Sequence, residues 1–444
     1  LGGIFWVVCA VPGCLHLSLF YKERGFLFMT FRYNVICGTH GNDTIHGTHG
    51  NDVIYAGSGN DIIYGGNGND IIYAGDGDDF IIGGFGLDTI YGGRGNDTIS
   101  WDNLGSGLSV DLASQRVHFN AGGGERFFSI ENVIGSRGND VIRGNWKNNV
   151  LSGNAGNDRI IGSWGNDVIA GDEGFDTVDY SHLGRGITLK AYGTVDKGWA
   201  GRDTLASVEE IIGAVGKHNT IDGRSNSDKA YLEVDLGAES LVVKNVPGIG
   251  AQSFTVRNFT TLKGSEQNDI LNGGDENHAS VTIFGNGGND SIRGSAGNDR
   301  LFGGAGDDTI VGGVGSDYIE GGGGNDTIAA LQGDDILNGT DAAHAGANEF
   351  DLLIGGDGKD RFILGDSHRA YYTANGFYDF AGITDFKIGQ DKIVLHGSRN
   401  IGKDYSLTTD GDTLAISFRG DRIGIIQGEN VASLTLHSRS FEFV

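Results

Sequence analysis

From Gly38 to Ser100 the chain repeats a nine-residue unit seven times without a slip, and the unit leaves its backbone few ways to run. Gly65-Gly66-Asn67-Gly68-Asn69-Asp70-Ile71-Ile72-Tyr73 shows its form: a glycine-rich turn followed by a short aliphatic stretch. The glycines take positive φ and sharp bends at little steric cost, while residues such as Ile62-Ile63-Tyr64 favour an extended strand. If successive units run along opposite sides of a flattened coil, two units complete one coil, and strands two units apart stack at about 4.8 Å. The expected fold is all-β: parallel β-roll (β-solenoid) blocks, with Ile45, Ile63, Ile81 and Ile99 lining one sheet and Ile54, Ile72 and Ile90 the other.

The same register places Asp43, Asp52, Asp61, Asp70, Asp79, Asp88 and Asp97 at the sixth position of each unit. Stacked carboxylates roughly 5 Å apart repel by about 1 kcal/mol per neighbouring pair even in water, and by more in a partly buried turn. Such a column calls for cations. Carboxylate and main-chain carbonyl oxygens are hard ligands, which suit calcium rather than zinc or copper. The alternative is that each Asp bonds only its own turn; that reading serves a single unit better than seven in register.

The repeats return in two further blocks. One runs from Gly135 to Asp179 with Asp140, Asp158, Asp167 and Asp176 at the ligand position, Asn149 replacing the carboxylate in one unit and predicting a weaker site there. The other runs from Gly285 to Asn338 with Asp290, Asp299, Asp308, Asp317, Asp326 and Asp335, flanked by single units around Asp269 and Asp360.

These motifs resemble those of the repeats-in-toxin (RTX) family of secreted bacterial proteins, whose hemolysin-type nonapeptides form a calcium-loaded β-roll. The resemblance implies that the sixth-position Asp supplies carboxylate oxygen, that first- and third-position carbonyls contribute, and that a fifth-position Asp or Asn helps. Carried onto this chain, it groups Asp70 with Gly65 and Asn67, and Asp61 with Ala56 and Ser58. Leu87 departs from the fifth-position pattern, which puts its turn in doubt.

Between the blocks lies a longer echo: Leu104-Gly105-Ser106-Gly107 through Gly135 returns as Leu183-Gly184-Arg185-Gly186 through Gly213, with a fainter third copy after Leu232. The alternation in Ser109-Val110-Asp111-Leu112 and Thr188-Leu189-Lys190 reads as half-buried strand, so these segments are taken as β spacers on the same solenoid. The expected organisation is an N-terminal segment 1–37, roll block 38–100, spacer 101–134, block 135–179, spacers 180–263, block 264–363, and a C-terminal β cap 364–444. A cap is needed because an open roll end exposes aliphatic residues and strand edges.

Composition agrees: 80 glycines but 2 prolines suit an unbroken ladder, and the formal charge of −26 disfavours folding of the ion-free chain. Calcium that binds only the folded form would pull the equilibrium towards structure, with roughly ten to fifteen ions in all. So acidic a surface repels phosphates and argues against nucleic acid. The closing Ser440-Phe441-Glu442-Phe443-Val444 looks like the uncleaved signal read by type I secretion machinery, an ordinary terminal strand being the alternative.

At the other end, the apolar run 4–11 lacks the preceding basic residues of a signal peptide and is too short to span a bilayer. The sole methionine, Met29, stands just before the repeats, and a native start there is expected; Cys37 would then be the lone cysteine. Tyr55, Tyr73 and Tyr91 recur every eighteen residues as an outward ladder, with Tyr64 on the opposite side, which suggests stacking on an extracellular polysaccharide or simply exposed β structure. His40, His46 and His49 cluster in sequence but project to opposite sides.

No H-E-x-x-H and no G-x-S-x-G occurs, and Asp111, Glu131 and Glu209 form no recognisable catalytic constellation. The reading is a non-enzymatic, secreted, extracellular or cell-surface calcium-binding protein with a structural or matrix role. Its alternatives are a polysaccharide-binding module and an accessory region of a secreted hydrolase or epimerase.

Overall fold

The computed structural model describes residues 33–444, apart from 225–228, 247, 249, 276–277, 375–377 and 398–403. Before them, only the backbone of strands Phe5–Val11, Cys14–Glu23 and Phe26–Phe28 is described, as an antiparallel sheet. Met29 and the first four residues, on which the expected native start rests, lie outside the described residues. Cys37, which would be the lone cysteine of a chain starting at Met29, is disulfide-bonded in the 444-residue chain.

Two compact units divide the chain: residues 1–182 with 193–212, and residues 183–192 with 213–444. Within the first, successive nonapeptides enter two sheets alternately. Asp52–Ser58, Ile71–Asp76 and Thr89–Arg94 pair in parallel in one sheet, and Thr44–His46, Ile62–Tyr64, Phe80–Ile82 and Thr98–Ser100 in the other. Ile54 faces Ile72 and then Ile90, and Ile45 faces Ile63 and then Ile81, so eighteen residues make one coil as the period requires. These isoleucines are buried almost completely. Each apolar side chain stacks on its neighbours a coil away, where truncating one costs about 2–5 kcal/mol.

The second unit repeats the plan. Thr282–Gly287, Arg300–Ala305, Tyr318–Gly323 and Ile336–Thr340 pair in parallel in one sheet, and Ser291–Arg293, Thr309–Val314, Thr327–Gln332 and Phe350–Asp357 in the other.

The spacers are antiparallel excursions set into parallel sheets. Arg116–Phe119 pairs antiparallel with both Leu108–Asp111 and Gly124–Phe128, which themselves pair in parallel with Val141–Arg143 and Thr89–Arg94. Ser240–Val246 does the same between Tyr231–Asp235 and Gly250–Arg257. The final eighty residues also extend the sheets: Phe380–Ile383 adds to Phe350–Asp357, Lys392–Leu395 to Arg361–Ile363, and Phe441–Phe443 to Lys392–Leu395. The described segments contain no helix long and apolar enough to cross a membrane.

Candidate metal centre

Strand stacking brings the sixth-position aspartates into columns along the turns, each joined to the next by its backbone. The N–H of Asp43 donates to Oδ1 of Asp61 at 2.8 Å, that of Asp61 to Asp79 at 2.8 Å, and that of Asp79 to Asp97 at 3.0 Å. Asp52, Asp70 and Asp88 form the same ladder on the opposite side. Further columns run from Asp140 through Asp158 to Asp176, from Asp269 through Asp290 and Asp308 to Asp326, and from Asp299 through Asp317 and Asp335 to Asp360.

That ladder uses one carboxylate oxygen. Among the described residues, the other oxygen, Oδ2, is buried and meets no hydrogen-bond partner at thirteen turns: Asp61, Asp70, Asp79, Asp88, Asp97, Asp158, Asp176, Asp290, Asp308, Asp317, Asp326, Asp335 and Asp360. Leaving a buried acceptor unmade costs about 1–3 kcal/mol, and more when it is charged. Thirteen such groups exceed the roughly 5–15 kcal/mol by which a domain is stable. The carboxyls must be neutralised by a proton or a cation. Burial pushes Asp70 up to about 6, Asp88 to about 7 and Asp290 to about 8, neighbouring carboxylates adding to the rise.

The donor set fits a hard cation. A Cβ placed on Gly303 would collide with Asp308 Oδ2 and with the carbonyl oxygen of Gly321 one coil on, and Gly285 stands in the same way between Asp290 Oδ2 and Gly303 O. Carboxylate and carbonyl oxygens thus converge across the first-position glycine, as oxygen-rich calcium coordination requires. The first-position carbonyls of Gly65 and Ala56 point at Gly47 and Gly38, in the turns of Asp52 and Asp43 one coil earlier. The third-position residues Asn67 and Ser58 donate their N–H groups back to Thr48 O and Thr39 O. Among the described residues no three His, Cys, Asp or Glu side chains converge to hold a metal by themselves.

Fifth-position side chains build a second ladder of opposite sense. Asn60 N–H donates to Asn42 Oδ1, Asp78 N–H to Asn60 Oδ1 and Asn96 N–H to Asp78 Oδ1, at 2.8–3.0 Å. Leu87 N–H donates to Asn69 Oδ1 at 2.9 Å, but its own side chain has no oxygen with which to continue.

Six other sixth-position aspartates are satisfied by the protein. At Asp43, Asp52, Asp140, Asp269 and Asp299 the second residue of the unit is Thr or Ser, whose N–H and hydroxyl both donate to the carboxylate. Asp167 shares the fully buried ammonium of Lys197 with Asp203, and Ser163 Oγ donates to it at 3.0 Å. Asn149 accepts the N–H of Asn145 at 2.9 Å and donates to Glu131 O at 2.7 Å.

Insertions hide several column members from a count of nine. Glu131 accepts the N–H of Asp97, Glu209 that of Asp176, Asp203 that of Asp167, Asp351 that of Asp326 and Asp391 that of Asp360. Glu125 sits beside Asp88 with one buried oxygen unpartnered and is pushed up to about 9, burial being the larger cause and Asp88 the next. The carboxylates singled out for possible catalysis do not gather: Asp111 caps Ala113 and Ser114, while Glu131 and Glu209 end columns.

Rings of Tyr55, Tyr73, Tyr91 and Phe128 stack face to face, with centroids 4.8–5.0 Å apart. Interior ring faces are therefore covered by one another and only edges meet solvent. His46 stacks in the same way on Tyr64 at 4.7 Å, and His49 Nδ1 lies 2.9 Å from Asn67 Nδ2.

A family comparison agrees with the columns of aspartate turns. The family model for the RTX calcium-binding nonapeptide repeat matches residues 38–72, 64–99, 129–146, 144–178, 260–277, 284–319 and 311–342. The chain thus carries RTX repeats, which are calcium-binding rather than catalytic elements. No curated protein matches it. Among solved structures it is similar to the extracellular lipase LipA from Serratia marcescens, at 18% identity and a TM-score of 0.18, over 70% of this chain and 40% of that one.

Proposed function

We propose that this is a secreted calcium-binding protein whose β-roll folds as it meets calcium outside the cell, and whose folded surface serves a structural role at the cell surface or in a matrix. The thirteen buried Oδ2 atoms without donors carry this reading. Inside a cell with little free calcium they would oppose folding, so the chain would stay extended and exportable; outside, the ion completes each turn. One divalent ion per such turn would match the formal charge of −26. Export by a type I machinery suits a chain that folds only after exit. In this reading blocks 38–100, 135–179 and 264–363 carry the ions, and segments 101–134, 180–263 and 364–444 space and close the roll.

Metal analysis of the full chain after dialysis against calcium tests the proposal. Roughly ten to fifteen tightly held ions per chain are expected; two or fewer would remove its basis.

A further inference from the structure

The second residue of the nonapeptide separates the aspartate turns into two classes. At every turn whose Oδ2 lacks a donor, that residue has positive φ: Gly66 at 101°, Gly304 at 117° and Gly313 at 132°, but also Asn154 at 75°, Asn286 at 77° and Leu331 at 82°. In this conformation its N–H makes no bond to the carboxylate. Thr39, Thr48, Ser136, Ser265 and Ser295 hold the same position without positive φ. There the N–H donates to Oδ2 at about 2.6 Å, the hydroxyl donates to the carboxylate, and the fourth residue's N–H donates to the hydroxyl at 3.0–3.3 Å. Two protein donors thus occupy the face of the carboxylate that a cation would use.

The turns in which both the N–H and the hydroxyl bind the carboxylate are not scattered. Each of these five is the first aspartate of a column: Asp43 before Asp61, Asp52 before Asp70, Asp140 before Asp158, Asp269 before Asp290 and Asp299 before Asp317. Ser163 also places a hydroxyl on Asp167, but that turn follows Asn149 within its column and is neutralised by Lys197. We infer that the second residue decides whether a turn takes calcium, and that a hydroxyl there makes a calcium-free seat on which each calcium-dependent column is built. This rests on the calcium reading above. It assigns five sixth-position aspartates to the protein's own hydrogen bonding and withdraws them from the metal sites.

Reciprocal substitutions in the full chain test it, with bound calcium counted by metal analysis on folded protein. Gly304→Ser should convert the turn of Asp308 to the hydroxyl form and lower the count by at least one ion. Ser295→Gly should open the turn of Asp299 and raise it by at least one, and Thr48→Gly should do the same if Ser295→Gly fails to fold. Counts unchanged in the folded variants, against a parent that binds calcium, would overturn the inference while leaving the calcium reading intact. A parent that binds no calcium would instead end the calcium reading.

Discussion

The N–H of Asp70 donates to Oδ1 of Asp88, eighteen residues further on, at 2.7 Å, while Oδ2 of Asp88 is buried with no donor. One bond fixes where the carboxylate sits, and the unmade bond fixes what it needs. Repeated along each column, this pairing makes the backbone place the ligands and leaves the ion to supply the missing stabilisation.

Protons should replace calcium in part. The pKa values of Asp70, Asp88 and Asp290 are raised in the fold to about 6, 7 and 8, above those of an unfolded chain. A raised carboxyl stabilises the fold fully below the unfolded value near 4, and that contribution is lost as pH rises through 6 to 8. In chelator, acidification from pH 8 to 5 should therefore restore β structure by circular dichroism. Calcium affinity should move the other way and fall on acidification. Loss of chelator-state structure on acidification would contradict the assignment.

Asp308→Asn keeps an oxygen for the Asp290 N–H, now bonded at 2.7 Å, and removes the charge. The variant should need more calcium to fold at pH 7.5 yet be no less structured than its parent in chelator at pH 5. Calcium-dependent folding followed at both pH values separates loss of a ligand from loss of packing, which would weaken both states.

Lys197 supplies a cation that calcium does not. Its ammonium contacts Asp167 and Asp203 and donates to Ser163 O at 2.7 Å, with Tyr180 donating to Asp203 at 2.8 Å. Lys197→Met would strand two buried carboxylates at a cost of about 3–5 kcal/mol. Urea unfolding in saturating calcium should show a loss of this size.

The tyrosine ladder should act in stability alone. Tyr73→Ala breaks two stacked pairs, each worth about 0.5–1.5 kcal/mol beyond burial, and should lower the melting temperature without changing the calcium count. A change in bound calcium would mean that the ladder shapes the turns.

Strict spacing made much of this fold legible. A period of nine with Ile54, Ile72 and Ile90 in step leaves one stacking for the strands, and Asp70 and Asp88 follow from it. Spacing fails where an excursion interrupts the count: Asp351 and Asp391 continue their columns after 25 and 31 residues, and Glu131 after 34. Lys197 was invisible because its partner Asp167 lies 30 residues away with no shared motif. The hydroxyl turns were readable as Thr39, Thr48, Ser136, Ser265 and Ser295, but only the hydrogen bonds reveal that the hydroxyl engages the aspartate four residues on. The terminal Phe441-Glu442-Phe443 forms a strand, with Glu442 bonded to Arg361 at 2.8 Å, a placement that does not separate the two readings of it.

The most direct measurement is a calcium titration of the full chain at pH 7.5, followed by far-ultraviolet circular dichroism. Little β structure is predicted in chelator, with a cooperative rise as calcium is added and reversal when chelator returns. A β spectrum already complete in chelator and unmoved by calcium would contradict the account.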